Sequence, residues 1–136
     1  MSRRLDLRGD LAEISRLNAW LKDRFSAGGI PEKTAGDIKL CLNEMVANAI
    51  SYGFPDGGEA EVSVELDIGD DRAVATLLDN GAAFNPLDGP DVRKITDLET
   101  AQIGGFGIML MRQTASAVDY AREGGRNRLT MTFRYA

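Results

Sequence analysis

The sequence contains no histidine and only one cysteine, Cys41. Without histidine, the chain has no Ser-His-Asp triad, no histidine-ligated zinc and no phospho-accepting histidine of its own. A single cysteine excludes an intramolecular disulfide, so we expect a reducing, cytoplasmic setting. Cys41 lies beside an apolar helical stripe, which favours a small residue at the edge of the core over a reactive thiol.

The sequence also lacks an excess of basic residues. The 16 Lys and Arg residues are outnumbered by 21 Asp and Glu residues, which gives a net charge of −5. This balance argues against a nucleic-acid partner, because such proteins usually present a basic face. No stretch is long and apolar enough to cross a bilayer, so we expect no membrane partner. With 136 residues, 43% of them hydrophobic, we expect residues 1–136 to form one domain with a substantial core.

Hydrophobic periodicity predicts the element order β-α-α-β-β-loop-α-β-β. Asp10, with Glu13 three residues later, resembles a capping box, so the first helix is expected to begin there with Leu11 on its buried face. Such an order predicts an α+β fold, a two-layer α/β sandwich whose mixed, mostly antiparallel sheet carries helices on one face. The strands are predicted at 2–8, 59–68, 72–78, 117–122 and 128–135, and the later helices at 31–51 and 108–115.

A first motif lies on the second predicted helix. Glu44 and Asn48 are four residues apart, so a helix places them on the same side. A carboxylate at the border of a buried face can take a proton, and an amide oxygen can ligate magnesium. An ordinary amphipathic helix with two solvated polar residues is the alternative. The apolar stripe that they border consists of Ile38, Leu42, Met45 and Ala49.

A second motif, running from Asp79 to Pro86, directly follows a predicted strand. A carboxylate at a strand end can accept a hydrogen bond from an exocyclic amine such as that of adenine. Gly81 has no side chain to obstruct a flat ring, and it permits unusual backbone angles. A simple turn is the alternative, because Asp-Asn-Gly is a strong turn signal.

A third motif, Gly104-Gly105-Phe106-Gly107, opens an apolar helix. Glycines bring backbone N–H groups close to phosphate oxygens, and a helix N-terminus adds a favourable dipole. The motif is not a Walker loop, since no Lys-Ser or Lys-Thr follows it, and a hinge is the alternative. The irregular region before it is long for a compact domain, which is typical of functional or mobile loops.

In this order, the three motifs resemble the GHKL (histidine-kinase-like) ATPase superfamily. The helix text from Gly105 to Arg112 is similar to that of the bacterial anti-sigma factor serine-protein kinases. The resemblance implies ATP and Mg²⁺ as ligands. It implies that Asn48 holds the magnesium and that Glu44 is the general base. It also implies that Asp79 reads the adenine amine while Gly81 lies against the ring.

The resemblance further implies that Gly104, Gly105 and Gly107 contact the phosphates beneath an ATP lid at about 88–103. Members of the anti-sigma factor serine-protein kinase family phosphorylate an anti-anti-sigma protein on serine and sequester a sigma factor. The resemblance therefore implies both partners and a homodimer here. A non-catalytic ATP- or ADP-dependent protein-binding switch of the same fold is the alternative.

Two departures from the family pattern motivate that alternative. The arginine that some members carry just before the glycines is absent, since Gln102 and Ile103 stand there. That leaves Arg93, Lys94 or Arg112 as substitute cations. The second motif also has Asn85 where Asp is common in the family.

Overall fold

A computed structural model describes residues 3–54, 57–87 and 106–135, and in these ranges the elements follow the predicted order. The predicted helical turn near 92–95 lies outside the described residues. The strands are β1 (Arg4–Arg8), β2 (Glu61–Ile68), β3 (Arg72–Asp79), β4 (Ala117–Glu123) and β5 (Arg126–Arg134). The helices are α1 (Glu13–Gly28), α2 (Glu32–Tyr52) and α3 (Phe106–Thr114).

The five described strands form one sheet in the order β1-β2-β3-β5-β4. Each pairing between them is antiparallel. The sequence predicts a mixed, mostly antiparallel sheet, and the described strands form an entirely antiparallel one. The β4–β5 hairpin turns at Gly124 and Gly125, whose φ angles are 57° and 73°. Two consecutive positive φ angles are typical of the tight hairpin turn that matches strand twist. The hairpin fixes the register that brings β4 and β5 to the functional site.

Alternation along the strands directs apolar side chains to one face of the sheet. Leu77 of β3, for example, lies between Val64 of β2 and Leu129 of β5, and all three are buried. The helices cover that face, since their apolar residues belong to the same core cluster. This arrangement confirms the predicted two-layer fold. The buried helical residues of the core are Leu17, Leu21, Ile38, Cys41, Leu42, Met45, Val46, Ile108 and Met111.

Helix α1 begins later than predicted, and the expected capping box is wrong. The helix starts at Glu13, and no side chain caps it. Asp10 instead accepts the N–H of Ala12 at 2.9 Å, and Glu13 accepts the N–H of Arg8 at 3.0 Å. These bonds stabilise a turn before the helix, which leaves Leu11 52% exposed.

Helix α2 is the central helix, since it packs on α1, on α3 and on strands β2 and β3. Its predicted apolar stripe is buried at Ile38, Leu42 and Met45, as expected. Ala49 is half-buried, because the C-terminal half of the helix borders a cavity. No helix in the described ranges is long and apolar enough to cross a membrane.

Candidate functional site

A cavity of about 170 Å³ lies between the C-terminal half of α2, the ends of β3, β4 and β5, and the loop after β3. Its wall is largely apolar and aromatic, with a few polar side chains, which is the usual character of a small-molecule site. Tyr52 and Phe84 are 51% and 54% exposed, so a ligand can reach their rings. The lining residues are Met45, Asn48, Ala49, Tyr52, Gly53, Leu77, Asp79, Ala82, Ala83, Phe84, Pro86, Tyr120, Asn127 and Leu129.

Asp79 is the buried carboxylate of this cavity, with only 7% of its surface exposed. It is the last residue of β3, so the sheet fixes its backbone. Its Oδ1 accepts hydrogen bonds from the Gly81 N–H and from Asn127 Nδ2, each at 2.9 Å. Both bonds that Asp79 accepts from the described residues end on this oxygen. Oδ2 is therefore left for a ligand in the cavity.

Asn127 is a site residue that the sequence reasoning missed. It lies directly opposite Asp79 in the β3–β5 pairing, is 6% exposed and lines the cavity. The sequence predicts a strand that begins one residue later, at 128, and so places residue 127 in the turn. The inward alternation of Leu129, Met131 and Phe133, extended back by two residues, is the signal that identifies it.

Gly81 is buried beside the cavity but is not one of its lining residues. A Cβ atom at this position would lie 2.9 Å from the Gly53 carbonyl oxygen and 3.0 Å from Asp79 Oδ1. The next residue, Ala82, donates its N–H to the same Gly53 oxygen at 2.7 Å. The absence of a side chain at Gly81 thus lets the loop after β3 pack on the end of α2. Its contact with a ligand ring stays a prediction.

Asn48 and Glu44 lie on successive turns of α2 but in different surroundings. Asn48 is half-buried and lines the cavity together with Asp79, whereas Glu44 is exposed and lies outside it. The two side chains provide a neutral and an anionic oxygen donor on one side of the helix. The amide oxygen of Asn48 suits Mg²⁺, which takes one or two protein oxygens and completes its shell with phosphate and water.

Gly107 is the predicted phosphate glycine that falls within the described residues. It lies in the first turn of α3, against α2. A Cβ atom here would come within 2.7 Å of Glu44 Cβ and 3.0 Å of Met45 Cε. The glycine therefore lets the start of α3 approach the turn of α2 that carries Glu44. Gly104, Gly105 and the predicted lid at 88–103 lie outside the described residues.

Arg112 on α3 is bonded to the loop that follows β3. Its guanidinium donates to the carbonyl oxygens of Pro86 and Leu87, at 3.3 Å and 3.0 Å. Asn85 stabilises the same loop, because its Oδ1 accepts the Leu87 N–H at 2.9 Å. These contacts show that Arg112 stabilises the loop after β3. They differ from the role suggested by the sequence, in which Arg112 substitutes for the arginine missing before the glycines. The other two candidates, Arg93 and Lys94, lie outside the described residues.

Cys41 is fully buried where α2 meets α3. Its Sγ lies 3.3 Å from Thr114 Oγ1. Burial raises the pKa of the Cys41 thiol, and the hydrogen bond with Thr114 only partly opposes that shift. A protonated, inaccessible thiol is a poor nucleophile, so the predicted packing role fits this position.

Comparison with known proteins identifies the family. The model of the histidine kinase-like ATPase domain matches residues 7–133. The serine/threonine-protein kinase BtrW of Bordetella bronchiseptica is 33% identical over 112 residues, 82% of this chain and 75% of the relative. The serine-protein kinase RsbW of Listeria monocytogenes is 27% identical over 113 residues, 79% of this chain and 69% of the relative.

A solved structure agrees with this result at the level of the fold. The SiaB–SiaC complex of Pseudomonas aeruginosa matches with a TM-score of 0.57 and 18% identity, covering 98% of this chain and 92% of that one. The family match spans all the described strands and helices except the first three residues of β1 and the last of β5. The chain belongs to the histidine kinase-like ATPase domain family and, within it, resembles the serine-protein kinases BtrW and RsbW in sequence.

Proposed function

We propose that this protein is an ATP- and Mg²⁺-dependent serine/threonine protein kinase of the anti-sigma factor type. It would phosphorylate an anti-anti-sigma protein and sequester a sigma factor, as a homodimer in the cytoplasm. The kinase names of BtrW and RsbW, at 33% and 27% identity, support the reaction class. The single observation that carries the proposal is the buried Asp79 carboxylate in the cavity beside Asn48.

The polarity of this cavity supports nucleotide binding. Asp79 Oδ1 is occupied by two donors, so Oδ2 is the oxygen that would accept the exocyclic amine of adenine. The apolar wall and the rings of Tyr52, Phe84 and Tyr120 suit a flat aromatic base. Asn48 lies on the same helix as Glu44, one turn further along. It would therefore hold Mg²⁺ between the pocket for the adenine ring and the reacting phosphate. Bound Mg²⁺ would neutralise developing charge on the phosphates.

In phosphoryl transfer, the exposed carboxylate of Glu44 would act as the general base. The serine hydroxyl oxygen of the antagonist forms a bond to the γ-phosphorus, and the bond from that phosphorus to the β-bridging oxygen breaks. The hydroxyl proton passes to the Glu44 carboxylate, and ADP leaves. The exposure of Glu44 fits a base that must meet a hydroxyl of a second protein.

A single-turnover assay with labelled ATP and a candidate anti-anti-sigma protein tests this function. Glu44→Gln should lower the transfer rate by about 10² to 10⁴-fold, the usual contribution of a general base, while ATP still binds. Glu32→Gln is the matched control, because Glu32 is an exposed glutamate in the first turn of the same helix. Equal rates for wild type and Glu44→Gln would exclude Glu44 as the base.

A non-catalytic switch is the second candidate. It is favoured by Arg112, whose guanidinium is bonded to backbone carbonyls of the loop and so is not directed at a phosphate. Without a cation at the terminal phosphate, ATP binding is retained while transfer is slow. Tight ATP binding by the wild type, together with no labelled antagonist after prolonged incubation, would identify the switch.

A further inference from the structure

Arg122 is the residue of strand β4 that reaches the loop after β3. It lies opposite Asn127 in the β4–β5 pairing, and Asn127 lies opposite Asp79 in the β3–β5 pairing. The three side chains thus share one row on one face of the sheet. From the end of this row, Arg122 Nη1 donates to the Gly81 carbonyl oxygen at 2.7 Å and to Asn127 Oδ1 at 3.1 Å. A side chain of β4 therefore holds the backbone of the loop.

The peptide unit between Gly81 and Ala82 is hydrogen-bonded on both sides. Its carbonyl accepts from Arg122, and its N–H, on Ala82, donates to the Gly53 carbonyl at 2.7 Å. Gly53 in turn donates its N–H to the carbonyl of Ala49 in the last turn of α2, at 3.0 Å. A chain of hydrogen bonds thus runs from β4 through the loop to α2, and bonds in such a chain strengthen one another.

The position of this loop matters for the cavity, because the loop forms part of the cavity wall. Ala82, Ala83 and Phe84 line the cavity, whereas Arg122 does not. The three lining residues are exposed, so packing in the core does not fix them. Hydrogen bonds to the loop backbone therefore set where this wall lies.

Two other arginines of the β4–β5 hairpin form contacts of a different kind. Arg126 pairs with Glu61 at 2.6 Å, and Arg128 pairs with Glu123 at 3.6 Å. Both are exposed ion pairs, which contribute little to stability. The bonds of Arg122 to Gly81 and Asn127 end instead on neutral oxygens beside the cavity, and a charged donor makes such bonds stronger than a neutral one does.

We propose that Arg122 is a positioning residue of the nucleotide site. It acts through the loop, because it holds the peptide unit between Gly81 and Ala82 in place between β4 and α2. The wall against which the base packs is thereby formed before the ligand arrives. A pre-formed wall raises affinity, since the cost of ordering the loop is not charged to binding. This inference rests on the proposed nucleotide-binding function.

Action at the base end of the nucleotide has a distinct signature. ADP and ATP share the base and differ by one phosphate, so the loss of Arg122 should weaken both by the same factor. A cation that meets the terminal phosphate would instead favour ATP. The comparison is decisive here because the chain has Gln102 and Ile103 in place of the arginine that some family members carry before the glycines.

Calorimetric dissociation constants of ADP and ATP, each with Mg²⁺, test the proposal with the full chain at pH 7. Arg122→Ala should weaken both ligands about tenfold, since it removes hydrogen bonds from a charged donor. Arg122→Lys should recover most of the loss, because an ammonium group can still donate to the Gly81 carbonyl. Arg128→Ala is the matched control, because Arg128 is an exposed arginine that does not line the cavity. It should bind both nucleotides like the wild type.

A second measurement and a second variant support this test. Arg122→Ala should speed amide hydrogen exchange at Ala82, whose N–H is bonded to Gly53. If Arg122→Ala does not fold, Arg122→Met replaces it, because methionine keeps an unbranched side chain without a donor. The methionine variant should show the same equal loss for ADP and ATP.

The outcomes separate this inference from the proposed function. If Arg122→Ala binds both nucleotides as tightly as the wild type, the arginine is merely structural and the inference is overturned. A loss confined to ATP would also overturn it, since Arg122 would then act on the terminal phosphate. A wild type that binds neither nucleotide would contradict the proposed function and this inference with it. An equal loss for ADP and ATP that lysine recovers supports the inference.

Discussion

A Cβ atom placed on Gly107 would lie 2.7 Å from the Cβ of Glu44. The first turn of α3 therefore touches α2 at the residue proposed as general base. Gly107→Ala must push the two helices apart or displace Glu44, and overpacking of this kind costs about 1–3 kcal/mol. We expect a lower free energy of unfolding in urea and a slower phosphoryl transfer.

The control for this substitution is Gly36→Ala. Gly36 also lies in a helix, but a Cβ atom there would meet nothing within 4 Å. Replacing an unobstructed helical glycine with alanine should stabilise the protein by about 0.5–1 kcal/mol. A Gly107→Ala variant that is as stable as the wild type, or more stable, would contradict the close packing of Gly107.

Asn48→Ala should remove the dependence of ATP binding on magnesium. The variant loses the amide oxygen assigned to the cation, so ATP affinity should become nearly the same with and without Mg²⁺. Asn43→Ala on the same helix is the control, because Asn43 forms a pair of hydrogen bonds with Asn18 of α1 outside the cavity. It should cost about 1 kcal/mol or more of stability and leave the Mg²⁺ dependence intact. Calorimetric titrations with Mg²⁺ and with EDTA distinguish the two patterns.

Arg112→Ala should loosen the loop that follows β3. The substitution removes the donors to the Pro86 and Leu87 carbonyls, which should speed amide hydrogen exchange in residues 83–87 and weaken ATP binding. The expected loss of stability is about 1–2 kcal/mol. Arg128→Ala, which removes an exposed ion pair with Glu123, should change neither quantity measurably. Unaltered exchange in Arg112→Ala would show that other contacts hold the loop.

Cys41 should make stability fall at alkaline pH. Burial raises its pKa in the folded protein, so the folded state keeps a proton that the unfolded chain releases. The free energy of unfolding is unaffected below the ordinary thiol pKa and decreases as the pH rises from there through the folded pKa. Subtracting the pH profile of Cys41→Ala from that of the wild type isolates this effect. A flat difference between pH 8 and pH 10.5 would contradict it.

The strands could be predicted from the sequence because alternation is a local signal. Val62, Val64 and Leu66 alternate with polar residues, and all three are buried on the helix-covered face. The position of Asp79 at the end of β3 and the orientation of Asn48 toward the cavity likewise follow from their own elements. The start of α1 could not be predicted, because an aspartate such as Asp10 can accept a backbone N–H either as a helix N-cap or in a turn that precedes the helix.

Asn127 could not be assigned a role from the sequence for a different reason. Its contact with Asp79 joins residues 48 positions apart and depends on the register between β3 and β5. A shift of one residue would direct the Asn127 side chain to the opposite face of the sheet. The packing of Gly81 on Gly53 could not be predicted either, because it requires knowing where α2 ends relative to the loop. Both relationships are tertiary, and no local pattern encodes them.

Calorimetric titration of ATP with Mg²⁺ into the wild type, Asp79→Asn and Asp119→Asn tests the central claim most directly. Asp119 is an exposed aspartate on β4 and is not among the lining residues of the cavity, so its variant controls for the loss of one negative charge. The wild type and Asp119→Asn should bind one ATP per chain with equal affinity, and Asp79→Asn should bind at least about tenfold more weakly. Equal binding by all three proteins, or no binding by the wild type, would contradict the assignment of this cavity as the ATP site.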